Sequence, residues 1–239
     1  MNIPLLILII TCAAFIQTSA GFGFSMVALS ILTFFLPLLT GSVIAVLAML
    51  PLTLFVALKT IKDINWDIFF LPFVFSIITT QIGIRLLMVT DNGLLLRLLG
   101  IALIGFSLFS FMTNSTLKLK STFSVKLLFG TLSGLFSGLF NMGGPPIAIY
   151  MLSSTKSKEE YNSTLQIYFL ATTSIAIVTH LLYGNITKEI LWLAGYAYIG
   201  VFIGTLFGRI LFKKLSSEKM GKLVYGVMMI MGCVVLFRI

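Results

Sequence analysis

The sequence predicts an all-α integral membrane protein made of two inverted repeats, each a re-entrant or broken-helix hairpin followed by three transmembrane helices. Three observations carry this: a composition only a bilayer solvates, a weak internal duplication, and a charge pattern that discriminates between threadings. Of 239 residues, 59% are hydrophobic and only 10% charged, with a mean hydropathy of +1.11. A soluble domain typically has about 25% charged residues, so this chain cannot cover a water-facing surface. A spanning helix takes about 20 apolar residues, and eight would use roughly 160 positions. Short loops are all that remain, which excludes a soluble enzyme and any sizeable extramembrane domain.

Apolar runs fall near residues 3–18, 22–39, 42–58, 67–89, 94–113, 125–140, 145–153, 163–183, 189–212 and 220–237. The first ends in Thr18-Ser19-Ala20, like a cleavable leader. No Lys or Arg precedes it, however, and the apolar character continues to Leu39, so the segment is expected to remain in the mature protein. Runs one and two are parted by Ala20-Gly21-Phe22-Gly23, and runs six and seven by Asn141-Met142-Gly143-Gly144-Pro145-Pro146. Glycine and proline clusters of this kind interrupt helices. In hydrocarbon the freed backbone groups must face protein or a water-filled cavity. The two breaks are therefore the places to look for function.

The chain repeats itself. Ser19-Ala20-Gly21-Phe22-Gly23 aligns with Asn141-Met142-Gly143-Gly144-Pro145 at an offset of 122, and Ile64-Asn65-Trp66 with Ile190-Leu191-Trp192 at 126. Arg85 pairs with Arg209, and Leu99-Gly100 with Tyr225-Gly226, at similar displacements. A duplication covering residues 1–115 and 124–239 is the economical reading.

The formal charge of +9 forms no stripe suited to nucleic acid; the basic residues sit in small groups between apolar runs. If each broken segment is one full span, the two faces carry 9 and 7 basic residues. If each is a re-entrant hairpin, one face collects Lys59, Lys62, Lys118, Lys120, Lys126, Lys156, Lys158, Arg209, Lys213, Lys214, Lys219 and Lys222. The other keeps Arg85, Arg97, Lys188 and Arg238. That asymmetry fits the positive-inside rule. It places both termini on the non-cytoplasmic face of a multi-pass cell (inner) membrane protein, and it inverts one half relative to the other. Inverted repeats with broken helices at the midplane are a feature of secondary transporters. Trp66 and Trp192 then fall at matching helix starts on opposite faces, where interfacial tryptophans belong.

A half-helix begins after each break. Its unpaired N–H groups and positive dipole end would point into the membrane centre, a site for a small anion without a buried Arg or Lys. Pro145 and Pro146 suit the first turn of such a helix. Gly21, Gly23, Gly143 and Gly144 would let the backbone approach the ligand, Gln17, Thr18, Ser19 and Asn141 supply polar side chains, and Pro145 completes the candidate site at the helix start. Close helix packing alone could also use these glycines; their recurrence at both breaks favours a site.

These two motifs, with the helix count, length and duplication, resemble the TauE/SafE sulfite-exporter permeases across essentially the whole chain. The second motif is close to the family's Gly-x-Gly-Gly-Pro form, with Asn141 for its first glycine; the first has Phe22 where a glycine is usual. The resemblance implies transport of small sulfur oxyanions or organosulfonates, often outward, and sometimes of other organic anions. The expected partners are a small anionic substrate, the bilayer and a coupling proton, with no cofactor, metal or nucleic acid.

Gln81, Gln166 and Thr172-Thr173-Ser174 lie within predicted helices, where they either line the cavity or bond to their own helix. Arg85 and Arg209, near helix ends, are expected to snorkel, with a gating or substrate-attracting role as the alternative. His180 is expected at the interface, against a proton-relay role. Asp67, Asp91 and Glu189 sit at span edges, leaving no deep carboxylate. Cys12 and Cys233 lie in apolar segments without metal-ligand spacing and are expected to be free buried thiols. Ser133 and Ser137 with His180 would be needed for an intramembrane serine protease, but Gly-x-Ser-Gly spacing is missing, as is His-Glu-x-x-His. A passive channel and a non-transporting assembly factor are the remaining alternatives.

Overall fold

The computed structural model describes the backbone of residues 1–112, 119–212 and 217–237, and their side chains except Ala20, Ser110 and 211–224. The described residues form ten α-helices, in order: α1 Ile3–Ala20, α2 Phe24–Leu32, α3 Leu38–Thr60, α4 Trp66–Val89, α5 Asn92–Met112, α6 Phe123–Phe140, α7 Gly144–Ser154, α8 Lys158–Leu182, α9 Lys188–Phe212 and α10 Ser217–Phe237. A short 3-10 turn at Ile61–Asp63 links α3 to α4, and no strand occurs among the described residues. Among the described residues, six helices are long and apolar enough to cross a bilayer. The expected runs match these elements closely, with one correction. The run 22–39 is not one helix: α2 stops at Leu32, and Pro37, which cannot donate to a preceding turn, caps the start of α3.

Small residues fix the two largest interfaces. Gly200, Gly204 and Gly208 of α9 lie in turn against Ile7, Thr11 and Phe15 of α1. Gly130, Gly134 and Gly138 of α6 lie against Pro72, Ser76 and Thr80 of α4. Each pair therefore runs side by side in one direction. A Cβ on Gly200 would stand 2.6 Å from the Ile7 carbonyl, and one on Gly130 2.5 Å from that of Pro72, so only glycine permits these separations. The α5–α10 pair crosses in opposite directions, with Gly100 meeting Gly232 and Ser107 Oγ donating to the Tyr225 carbonyl at 2.6 Å.

The remaining directions follow from contacts at the helix ends. Asn65, which caps α4 by accepting from the Asp67 and Ile68 N–H groups, donates its own main-chain N–H to Thr164 Oγ1, near the start of α8, at 2.9 Å. At the other end, Asn185 after α8 lies beside Met88 of α4. Hence α4 and α8 are parallel, and α9 runs back from there to Arg209, which stacks over the Phe55 ring at 4.6 Å. Early α3 meets late α8 through Val46 and Ala176, so α3 opposes α8. It follows that α1, α3 and α9 point one way and α4, α6 and α8 the other. Because α1 and α3 share a direction, the chain reverses at the first break; the same holds for α6 and α8 at the second.

This gathers Lys59, Lys62, Lys120, Lys126, Lys156, Lys158 and Arg209 at one end of the bundle and Arg85, Arg97 and Lys188 at the other. Lys118, Lys213, Lys214 and Arg238 lie outside the described residues, as do the side chains of Lys219 and Lys222. Trp66 opens α4 and Trp192 lies in the first turns of α9, both exposed on the outer surface. Cys12 corrects the expectation of a buried thiol: it is exposed on the outside of α1, while Cys233 is half-buried. An apolar helix accepts a thiol on its lipid-facing side as readily as in the core.

Candidate functional site

The first break is built by backbone conformation. Gly21 ends α1 at φ 85° and Gly23 precedes α2 at φ 107°, values that an L side chain rarely adopts. The side chain of Gln17 bridges the gap: Oε1 accepts the Phe24 N–H at 3.0 Å and Nε2 donates to the Gly21 carbonyl at 3.2 Å. From α8, Gln166 Nε2 donates to the same carbonyl at 3.2 Å. Ser19 Oγ donates to the Gly208 carbonyl and ties the end of α1 to α9.

The second break uses asparagine. Asn141 is the only non-glycine residue with positive φ among the described residues, at 53°, a conformation asparagine tolerates better than most. Its Nδ2 donates to the carbonyl and hydroxyl of Ser42 at 2.8 and 2.9 Å, fastening the break to α3. Ser133 Oγ donates to the Gly143 carbonyl at 2.7 Å. A Cβ on Gly143 would stand 2.6 Å from the Ser133 carbonyl, so this glycine is there for space.

The two breaks meet around a small, partly open cavity of about 30 Å³, room for about two waters. Gln17, Gly23, Asn141, Gly143 and Gly144 of the expected site line it. Ser25, Val46, Met49, Ser137, Phe169, Thr172 and Thr173 complete the wall with Phe22, Phe24, Met26 and Met142. None of these side chains carries a charge. Val46 and Met49 lie near the middle of α3, and Phe169 to Thr173 near the middle of α8. The cavity therefore sits at mid-height of the bundle.

The positive end of α2 faces this space: Ser25 and Met26 belong to the first turn, whose N–H groups have no intrahelical carbonyl. At α7 the donors are fewer than the sequence suggested. Pro145 and Pro146 lack N–H groups, so within this turn Gly144 carries the donor. Pro145 is buried in α7 and lines neither this cavity nor the larger space beyond.

Thr18, Ser19 and Gly21 face away from the cavity, into a vestibule of about 1330 Å³ at the basic end of the bundle. Lys156, Lys158 and Arg209 line it, with Thr60, Tyr161 and Gln166. Gln17 alone borders both spaces among their lining residues. Toward the opposite end, Val46, Ile84 and Ala176 pack into a tight apolar cluster with at most 2% exposure. The cavity thus lies between a wide basic vestibule and an apolar plug.

Several expectations are corrected. Gln81 is exposed on the outer face of α4 and reaches neither space. Arg85 and its counterpart Arg209 are both exposed near helix ends, which is compatible with snorkelling, and Arg209 also borders the vestibule. His180, expected at the interface, is fully buried near the end of α8, with Nδ1 3.0 Å from Asn185 Nδ2. The hydroxyl of Ser133 is committed to Gly143.

The sulfite exporter family TauE/SafE matches the chain over residues 6–235. The chain belongs to that family. No curated protein and no solved structure matches it. Membership makes it a multi-pass protein of a membrane transport family. Phe22, in the first break, packs against Tyr225 with ring centroids 6.0 Å apart.

Proposed function

We propose that this protein is a secondary permease for small anions, with sulfite or an organosulfonate as substrate, working by alternating access around the cavity between the two breaks. One observation carries the reading: two chain reversals, at Gly21–Gly23 and Asn141–Gly144, converge on one uncharged, mid-height cavity in a member of a sulfite exporter family. A neutral pocket with free main-chain donors and hydroxyls from Ser137 and Thr173 suits an anion that must both bind and leave, while the Thr172 hydroxyl donates to the Tyr168 carbonyl of its own helix.

The two halves, 1–115 and 124–239, act as inverted repeats. In support, α1 packs on α9 as α6 packs on α4, the breaks occupy equivalent places, and α1 and α6 point in opposite directions. The basic end is cytoplasmic by the positive-inside rule, which puts both termini outside. The vestibule then opens to the cytoplasm, where Lys156, Lys158 and Arg209 raise the local concentration of anions. The Val46–Ile84–Ala176 plug closes the outer path in this state. Rocking of the two hairpins against α3 and α8 would exchange the open side. A proton is the proposed coupling ion, carried on the substrate or on water, since no carboxylate lies deep in a span.

Reconstitution in proteoliposomes tests this, with sulfite, methanesulfonate, acetate and chloride compared with and without a pH gradient. Saturable flux of a sulfur anion, competed by its analogues, is the expected result. Non-saturating flux of all four would mean a channel, and no flux from folded protein would defeat the permease reading.

A further inference from the structure

We infer that Gln166 is the throat residue of the pathway: it closes the passage between the vestibule and the cavity and masks the Gly21 carbonyl from a passing anion. The inference rests on the permease reading and adds a positioning residue to it. The two spaces change over at one level on two independent helices. On α1, the single side chain of Gln17 reaches from the Gly21 carbonyl, on the vestibule side, to the Phe24 N–H, on the cavity side. On α8, Gln166 borders the vestibule and Phe169, one turn on, borders the cavity. The Gly21 carbonyl joins the two, because both glutamine amides donate to it.

The electrostatics give the clasp a purpose. The carbonyl end of α1 carries negative partial charge, which opposes an anion entering beside it. Two N–H dipoles from Gln17 and Gln166 cancel that charge where the path narrows. Gln166 is also suited to release. It is only 6% exposed, it is held by one hydrogen bond of 3.2 Å, at the long end of the normal range, and its Oε1 is enclosed without a partner. Gln17, bonded at both ends of its amide, is the fixed half of the clasp. Swinging the Gln166 amide away from Gly21 opens the throat without breaking any helix bond.

Two readouts test the inference. In a Cys12→Ser, Cys233→Ser background, a cysteine at Ser137 reports cavity access to an impermeant methanethiosulfonate reagent applied to solubilised protein, and a cysteine at Thr155 reports the vestibule. Gln166→Ala should speed labelling at position 137 about tenfold, as expected for loss of one hydrogen-bonded closure, and leave position 155 unchanged. Gln166→Met, which keeps the bulk and loses the bond, carries the same test if alanine does not fold. An unchanged rate at 137 in a folded variant overturns the throat. In proteoliposomes, Gln166→Met should raise KM for sulfite about tenfold with kcat nearly constant, and an unchanged KM overturns the masking role. Absence of sulfite flux in the parent protein would count against the permease reading, while the labelling result would still decide the throat.

Discussion

Gln17 on α1 accepts the main-chain N–H of Phe24 at 3.0 Å, so the helix before the first break caps the helix after it. The two segments are thereby held as one unit although three residues separate them. Replacing Gln17 with alanine removes the cap and exposes the Gly21 carbonyl on one side. We expect a loss of about 1 kcal/mol of stability, seen as a lower melting temperature in detergent, together with a raised KM. A variant with parental stability and KM would show that the bond is incidental.

Asn141 separates backbone conformation from side-chain bonding. Asn141→Gly keeps the left-handed cap and loses the two bonds to Ser42, so it should fold and retain measurable flux. Asn141→Leu loses both and should abolish flux while monodisperse protein remains in the membrane. Equal flux from the two variants would contradict the assignment of Asn141 to the site.

Gly143 tests the close approach of α7 to α6. Valine there would drive its Cβ to 2.6 Å from the Ser133 carbonyl, shifting the wall of the cavity. Transport should disappear before folding does, as read by flux and by size-exclusion profile. Undiminished flux would remove Gly143 from the site.

The glycine ladders make a stability prediction independent of transport. Gly134→Leu and Gly204→Leu push a side chain into the backbone of Ser76 and Thr11 respectively and should prevent stable folding. At Gly195 nothing lies within 4 Å of an added Cβ, so Gly195→Leu should express at the parental level. Equal yields from all three variants would mean that the ladders do not set the helix separations.

Single cysteines at residue 2 and after residue 239 test the membrane orientation. Both should react with an impermeant reagent applied to intact cells, after Cys12 and Cys233 are replaced by serine. Protection of either terminus would reject the hairpin threading.

Much of this protein was legible in its sequence. Helix boundaries came within a few residues, because glycine, proline and charge punctuate an otherwise apolar chain. Both breaks were found, and five residues expected there line the cavity. The Gly130-Gly134-Gly138 and Gly200-Gly204-Gly208 ladders were overlooked, though their four-residue spacing was available as a signal of close helix packing. Ser42, which anchors Asn141, had no signal at all. It is one serine in an apolar helix, and its role exists only because α6 ends beside α3.

The sequence by itself determined the solvent, the helices, the two interruptions and the imbalance of basic charge. These follow from composition and from local backbone chemistry. Only the tertiary structure decided which faces look inward. In a membrane the lipid and the protein core both accept apolar side chains, so an apolar helix carries little pattern to say which face is buried. Hence Gln81 and Cys12 turned out to face outward, while Val46, Met49 and Phe169 came to wall the cavity. Only packing, too, divided the expected residues at Gln17, placing Thr18, Ser19 and Gly21 in a basic vestibule, Gly23, Asn141, Gly143 and Gly144 at the cavity, and Pro145 at neither. That division arises because α1 runs on beside α9 to Gly208, carrying the end of the helix past mid-height toward the basic end.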